Sequence, residues 1–206
     1  MEHAAVRGET IAEASELRLR KLLESDIPLM SRWLSDPRVL EFYEGRDRPH
    51  DEDMIREHYW APDRDDISQC IVEWRDRPIG YQQFYPSHVS EKGAYGYQPE
   101  DDVWGMDQFI GEPELWNQGI GTILVRLVAT HLKARAPDRV VTTDPLVTNP
   151  RAIRCYEKAG FQRVRLLPQH ELHEGAWRDG WLMVFRAGVK TDADAKGGKM
   201  HIDSRR

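Results

Sequence analysis

The sequence predicts one α/β domain, and three observations predict it. Apolar side chains alternate at two-residue spacing around Leu17 and Leu19, and a stripe at helical spacing follows Ile120. The elements read in the order strand, two helices, three strands, helix, strand, helix, two strands, which is an interleaved α/β pattern. A chain of 206 residues with 40% hydrophobic and 31% charged side chains has the size and composition for one substantial core.

Residues 16–22 alternate and predict a half-buried strand. Ser25 stands where a helix cap belongs, Ile27, Met30 and Leu34 share the face of the helix after it, and Asp36-Pro37 stops that helix. A short helix is expected over 51–59. Residues 68–74 and 78–85 read as two strands joined at 75–77, a hairpin inferred from polarity without an Asn-Gly signature. Residues 103–111 form a further strand candidate, with Gly105 and Gly111 permitting a bulge or a close backbone approach. Ile120, Ile123, Leu124, Leu127, Val128 and Leu132 then make the buried stripe of a long helix. Residues 139–143 are a short strand, Asn149-Pro150 caps and opens the last helix, and Gly160 closes it. Two strands, 161–166 and 177–186, complete the order. Residues 1–15 and 187–206 are poor in large apolar side chains, so a flexible N-terminal segment and a disordered polar tail are expected on either side of a folded span 16–186.

Twenty-nine Lys and Arg against 35 Asp and Glu give a net charge of −6, which argues against a nucleic-acid partner and suits a small cationic one. There is no apolar run long enough to span a bilayer and no secretory start, so no membrane partner and a cytoplasmic location are expected. Cys70 and Cys155 stand far apart outside any zinc-like spacing, and the close pair His170 and His173 lacks further ligands. No disulfide framework and no metal site are expected. The oligomeric state is left at monomer or homodimer.

Chemistry concentrates in two segments. Trp116-Asn-Gln-Gly-Ile-Gly121 links a strand to the long helix, and its glycines let backbone N–H groups converge on an anion at the helix's positive end. Plain turn chemistry is the alternative; the segment is neither a P-loop nor a dinucleotide fingerprint, because it lacks Gly-Lys-Ser/Thr and a third glycine. The second segment is Thr143-Asp-Pro-Leu-Val-Thr-Asn-Pro-Arg-Ala-Ile-Arg-Cys-Tyr-Glu-Lys-Ala-Gly-Phe161. It resembles the segment Asn-x-x-Ala-x-x-x-Tyr-x-x-x-Gly-Phe of the GCN5-related N-acetyltransferases (GNAT), matched by Asn149, Ala152, Tyr156, Gly160 and Phe161.

That resemblance spans about the whole folded region and implies a mixed central sheet of about seven strands flanked by about four helices. It also implies a fourth strand splayed from the fifth by a bulge, acetyl-CoA as acetyl donor, and no metal. By resemblance, Phe109 and Ile110 lie beside pantetheine, while Asn117, Gln118, Gly119, Ile120, Gly121, Thr122, Asn149, Ala152 and Tyr156 bind the cofactor. Trp116 departs from the family's Gln or Arg at the first loop position, a change that weakens phosphate affinity at most, because the cradle is backbone.

More narrowly, Pro78-Ile-Gly-Tyr-Gln-Gln-Phe-Tyr85, Gly105-Met-Asp-Gln-Phe-Ile110, Thr143-Asp-Pro145 and Arg151-Ala-Ile-Arg-Cys-Tyr156 are similar to aminoglycoside 6′-N-acetyltransferases of antibiotic resistance. Two alternatives stand beside that reading, an acyltransferase for a siderophore-type hydroxylysine or other metabolite amine, and a non-catalytic acyl-CoA sensor. Direct attack of an amine on a thioester needs one group to take a proton and one to give a proton. Asp107, a mid-strand charge, is the expected base and ammonium anchor, the alternative being a structural ion pair. Tyr156 is the expected acid, the alternative being a core aromatic; Cys155 is given no nucleophilic role. Asp144, across the splay, adds a second negative group, and Glu41, Phe42, Tyr43, Tyr85, Tyr95 and Asp179 complete the expected wall of a polycationic substrate. Asp101, Asp102, Glu44, Tyr97, Glu171 and Glu174 are further cleft candidates.

Overall fold

Hydrophobic residues on both faces of the central strands demand two covering layers, and the chain supplies them. The computed structural model describes residues 8–60 and 66–186. Its strands are β1 (Thr10–Ala14), β2 (Leu17–Lys21), β3 (Ser68–Trp74), β4 (Arg77–Pro86), β5 (Val103–Ile110), β6 (Val140–Thr143), β7 (Phe161–His173) and β8 (Ala176–Phe185). The helices are α1 (Ile27–Trp33), α2 (Pro37–Leu40), α3 (Glu52–His58), α4 (Val89–Tyr95), α5 (Ile120–Arg135) and α6 (Pro150–Ala159). One sheet carries all these strands in the order β1-β2-β3-β4-β5-β6-β8-β7, with β5 and β6 parallel and the other pairs antiparallel. No helix among the described residues is long and apolar enough to cross a membrane.

Alternation along β3 sorts the two cores: Cys70 and Val72 pack with α5 and α6, while Ile71 joins Tyr81, Phe109 and the side chains of α1 to α3. The predicted stripe of α5 is the buried one, with Ile120, Leu124, Val128 and Leu132 inside. Asn149 caps α6 by accepting from the Ala152 N–H at 3.0 Å, and Gly160 closes it at φ +110°.

Several expectations are corrected. Thr10–Ala14, placed within the flexible segment 1–15, pairs with β2 as an edge strand. The expected tail 187–206 lies outside the described residues. Ser25 is not the cap: residues 24–26 form a 3₁₀ turn, and Asp26 accepts from the Leu23 N–H at 2.9 Å. The β3–β4 turn is a two-residue one in which Arg75 and Asp76 have φ of +52° and +60°, a primed geometry built without glycine. Among the described residues there are eight strands and six α-helices, because β1, α2 and α4 are too short to show a clear apolar period. β7 continues to His173 past Pro168, which an edge strand with a register shift tolerates.

The expected splay is present, and its cause differs. β5 pairs with β6 only at Val103, Trp104 and Gly105, whereas β5 itself runs on to Ile110. The β4–β5 register runs from Gly80↔Ile110 to Pro86↔Trp104 without a shift, so no bulge on β5 opens the gap. β6 simply ends at Thr143, where Asp144-Pro145 turns the chain away. Gly105 and Gly111 serve close approach instead: an added Cβ would stand 2.9 Å from the Tyr85 ring at one and 2.2 Å from the Trp33 ring at the other.

Away from the gap, β2 and β3 bury a charged cluster. Arg20 donates to both carboxylate oxygens of Asp26 at 2.7 Å and to Glu73 at 2.7 Å, and Arg18 also donates to Glu73. Removing one partner leaves a buried charge uncompensated. Glu73→Ala is expected to lower unfolding free energy by about 3 kcal/mol in urea titrations; a loss under about 1 kcal/mol would mean that the cluster is screened like a surface pair.

Candidate active site

Where β5 leaves β6, a cleft of about 350 Å³ opens between the sheet, α5 and α6. Its lining includes Phe109, Ile110, Asn117, Gly119, Gly121, Thr122, Asn149, Ala152 and Tyr156, so most of the residues expected at the cofactor come together. Phe42 and Tyr43, expected at the substrate, line the same space. Gln118 and Ile120 do not. The Gln118 side chain donates to the Glu114 carbonyl at 2.8 Å, and Ile120 is in the core.

The loop before α5 is shaped by backbone conformation. Asn117 and Gly119 have φ of +62° and +84°, and no side chain caps the helix, so its opening turn faces the cleft without a protein anion. Gly121 lets α6 come close, since a Cβ there would lie 3.2 Å from the Cys155 sulfur. Burial pushes the Cys155 thiol up, which keeps it protonated.

At the inner end of the gap the side chains become acidic. Asp107 is held by neutral donors: Gln83 Nε2 at 2.9 Å and the Tyr85 hydroxyl at 2.8 Å, both on one carboxylate oxygen. Burial, and then the nearby Asp144 charge, push Asp107 up to about 6, against those two hydrogen bonds. Gln82, fully buried, donates to the Asp107 carbonyl at 3.1 Å and fixes the strand at that point. Asp144 accepts from the Tyr95 hydroxyl at 2.8 Å and from His170 Nε2 at 2.5 Å. That hydrogen bond holds His170 above its ordinary range, against the effect of burial.

Tyr156 reaches the same region from α6. Its hydroxyl accepts from Gln108 Nε2, and its ring packs 5.5 Å from that of Phe161. Burial raises it well above the ordinary phenol range, while hydrogen bonds with Thr143 and Gln108 oppose that rise. Gln108 Oε1 is buried without a partner.

Two of the expected wall residues are engaged elsewhere. The Asp179 carboxylate accepts from the Gln169 N–H at 2.9 Å in the kinked part of β7, and Glu41 is exposed, with its carbonyl accepting from His173 Nε2 at 3.1 Å. Glu174 pairs with Arg46 and thereby ties the β7–β8 hairpin to the loop after α2. Sequence reasoning missed Gln83, Gln108, Thr143 and His170. Gln83 and Thr143 were readable as strand neighbours of the acidic pair, whereas nothing local in the sequence brings His170 to Asp144.

The comparisons agree with this geometry. Residues 22–168 match the model of the acetyltransferase (GNAT) domain. The aminoglycoside N(6′)-acetyltransferase type 1 of Klebsiella pneumoniae is 33% identical over 148 residues, covering 70% of this chain and 73% of that protein. A kanamycin resistance protein of Rhizobium radiobacter is 40% identical over 74 residues, 35% of this chain and 68% of that one. Among solved structures, AAC(6′)-Ib with ribostamycin and coenzyme A superposes with a TM-score of 0.64 at 27% identity, covering 86% of this chain and 99% of the other. Spermidine N-acetyltransferase of Vibrio cholerae shares the fold, with a TM-score of 0.68 at 18% identity over 84% of this chain and 96% of that one. With a sheet opened beside β5, a cleft flanked by α5 and α6, and a domain match over most of its length, the chain belongs to the GNAT acetyltransferase family.

Proposed function

We propose that the protein transfers the acetyl group of acetyl-CoA to the 6′-amine of aminoglycosides, by direct attack in a complex holding donor and acceptor together. The observation that carries this reading is the pair of acidic groups, Asp107 and Asp144, where β5 parts from β6, beside a cleft whose own lining is apolar, polar uncharged or basic. A polycation with a primary amine suits the first, and an anionic donor with an apolar arm suits the second. The relatives named for aminoglycoside acetylation and kanamycin resistance support that acceptor.

The residues fit a coenzyme A thioester. β5 beyond Gly105 has lost its β6 neighbour, so an amide-bearing arm has main chain to pair with, and the cleft lining carries no Asp or Glu to repel phosphates. Once bound, the thioester supplies the electrophilic carbonyl and a thiolate leaving group. Asp107 holds the acceptor ammonium and takes its proton, a task its raised pKa favours over that of an ordinary aspartate. Tyr156 donates its proton to the departing sulfur, and Gln108 and Thr143 then steady the phenolate. Phe42 and Tyr43 cover the cleft and exclude water.

CoA-thiol release from acetyl-CoA is expected with kanamycin, and not with its 6′-hydroxyl analogue or with N-hydroxylysine. Release with N-hydroxylysine alone would transfer the site to hydroxylamine acylation, and silence with every amine would leave a sensor. Asp107→Asn should lower kcat about 100-fold or more with acetyl-CoA affinity nearly unchanged, and Tyr156→Phe about 10-fold or more. Wild-type turnover in either variant would remove that residue from the mechanism.

The Asp107 proton also sets two pH effects. The carboxylate is the working form, so kcat/KM for the amine should fall as pH drops through about 6, and Asp144→Asn should move that limb lower by removing a neighbouring charge. Because the folded state raises this pKa above the usual value of 3.8, its ionisation destabilises the fold as pH rises from there through about 6. Asp107→Asn is therefore expected to raise Tm at pH 7.5 while abolishing most activity; a lowered Tm would contradict the burial of that charge.

A further inference from the structure

The cleft holds a cation with no evident structural task. Arg151, half-buried near the start of α6, packs its guanidinium 3.9 Å from the centre of the Trp116 ring and 4.6 Å from that of Phe42. The two rings stand at 81° to each other, so they hold the guanidinium in an aromatic corner and offer its N–H groups no carboxylate, leaving those groups to other partners. Among the described residues, the carboxylate it feels is that of Glu41, through space and without a hydrogen bond, and desolvation lowers its pKa. Structural arginines of this fold behave otherwise. Arg20 and Arg46 each meet a carboxylate with two N–H groups.

The surroundings set the class of ligand. In a chain of net charge −6, the cleft lining contains Arg151, Arg154 and Lys158 and no acidic residue. Trp116 is itself fixed, donating its indole N–H to the Ile110 carbonyl at 2.8 Å, where the split strand ends. The ring is thus a platform tied to β5, and it carries the arginine to the side of the cleft bordered by Asn117 and Gly119.

We propose that Arg151, seated on Trp116, is the side-chain ligand for the diphosphate of the CoA donor, with Trp116 acting as its positioning residue. The inference rests on family membership and the cleft; it is independent of which amine is acetylated. It assigns a purpose to an aromatic residue at a loop position where a polar one was expected. The charge comes from α6, and the loop supplies the surface that orients it. A bidentate contact from a planar, preorganised guanidinium to a phosphate is the strong form of a charge-assisted hydrogen bond.

Three donors separate this from other roles: acetyl-CoA, acetyl-3′-dephospho-CoA and S-acetyl-pantetheine, which lacks the adenosine and all three phosphates. Arg151→Met is expected to raise KM for acetyl-CoA about 10-fold with kcat little changed, to do the same for the dephospho donor, and to leave kcat/KM for S-acetyl-pantetheine unaltered. Trp116→Leu should show the same donor dependence, and Arg151→Lys should recover only part of the loss, because an ammonium does not stack as a plane. If no acceptor supports turnover, titration calorimetry of the same variants with CoA, dephospho-CoA and pantetheine reads the same differences as Kd. An equal loss with all three donors would show that Arg151 only braces the fold. A loss confined to the donor with a 3′-phosphate would place the contact there and overturn the diphosphate assignment, and an unchanged KM in Arg151→Met and Trp116→Leu would overturn it outright.

Discussion

The parting of β5 from β6 after Gly105 is the constraint on which the rest of the site depends. A parallel pair normally continues its ladder, and buried main-chain groups left without partners are costly. Here β6 stops after four residues while β5 continues to Ile110, leaving main chain facing a cleft. Everything chemical gathers along that opening: Asp107 and Gln108 from β5, Asp144 at the end of β6, Tyr156 from α6 and the amides that open α5. Trp33 of α1 packs closely against Gly111 just past the end of β5, and the Tyr85 ring of the neighbouring β4 covers Gly105, so the strand beside the opening is held from the helical layer and from its own sheet.

Charge differs between the strand gap and the cleft beside it. Asp107 and Asp144, with Glu91 felt through space, make the gap acidic, and the raised Asp107 pKa comes first from its burial and then from the neighbouring Asp144 charge. Tyr85, Tyr95, Gln83 and His170 supply the hydrogen bonds that make such crowding tolerable. The cleft lining carries Arg151, Arg154 and Lys158. On the proposed function, a substrate pair of opposite charge would be oriented by this difference before any bond forms, with the reacting atoms directed to the strip between Asp107 and Tyr156.

Much of this was legible in the sequence where the signal is local. The α5 stripe, the Asn149 cap and the Gly160 stop are set by neighbours within a few residues, and the structure places them as read. Ser25 and the missing bulge show the limit. A helix can be entered through a 3₁₀ turn with no side-chain cap, and a strand split arises equally from a bulge or from one strand ending early, two causes that leave the same glycines in the sequence. Asp107, Asp144 and Tyr156 stood out in the sequence as candidates because charge or hydroxyl in an apolar context is conspicuous. His170 and Arg151 were not, since their meaning comes from pairing across 26 residues with Asp144 in one case and across the cleft with Trp116 in the other.

The account stands on donor and acceptor meeting between Asp107 and Tyr156. A crystal structure of the protein with CoA and kanamycin bound together tests this most directly. The account predicts the 6′-ammonium within hydrogen-bond reach of the Asp107 carboxylate and the CoA sulfur beside the Tyr156 hydroxyl, with the pantetheine arm paired to β5 beyond Gly105. A 6′-amine lying away from Asp107, or a pantetheine arm outside the β5–β6 opening, would contradict it.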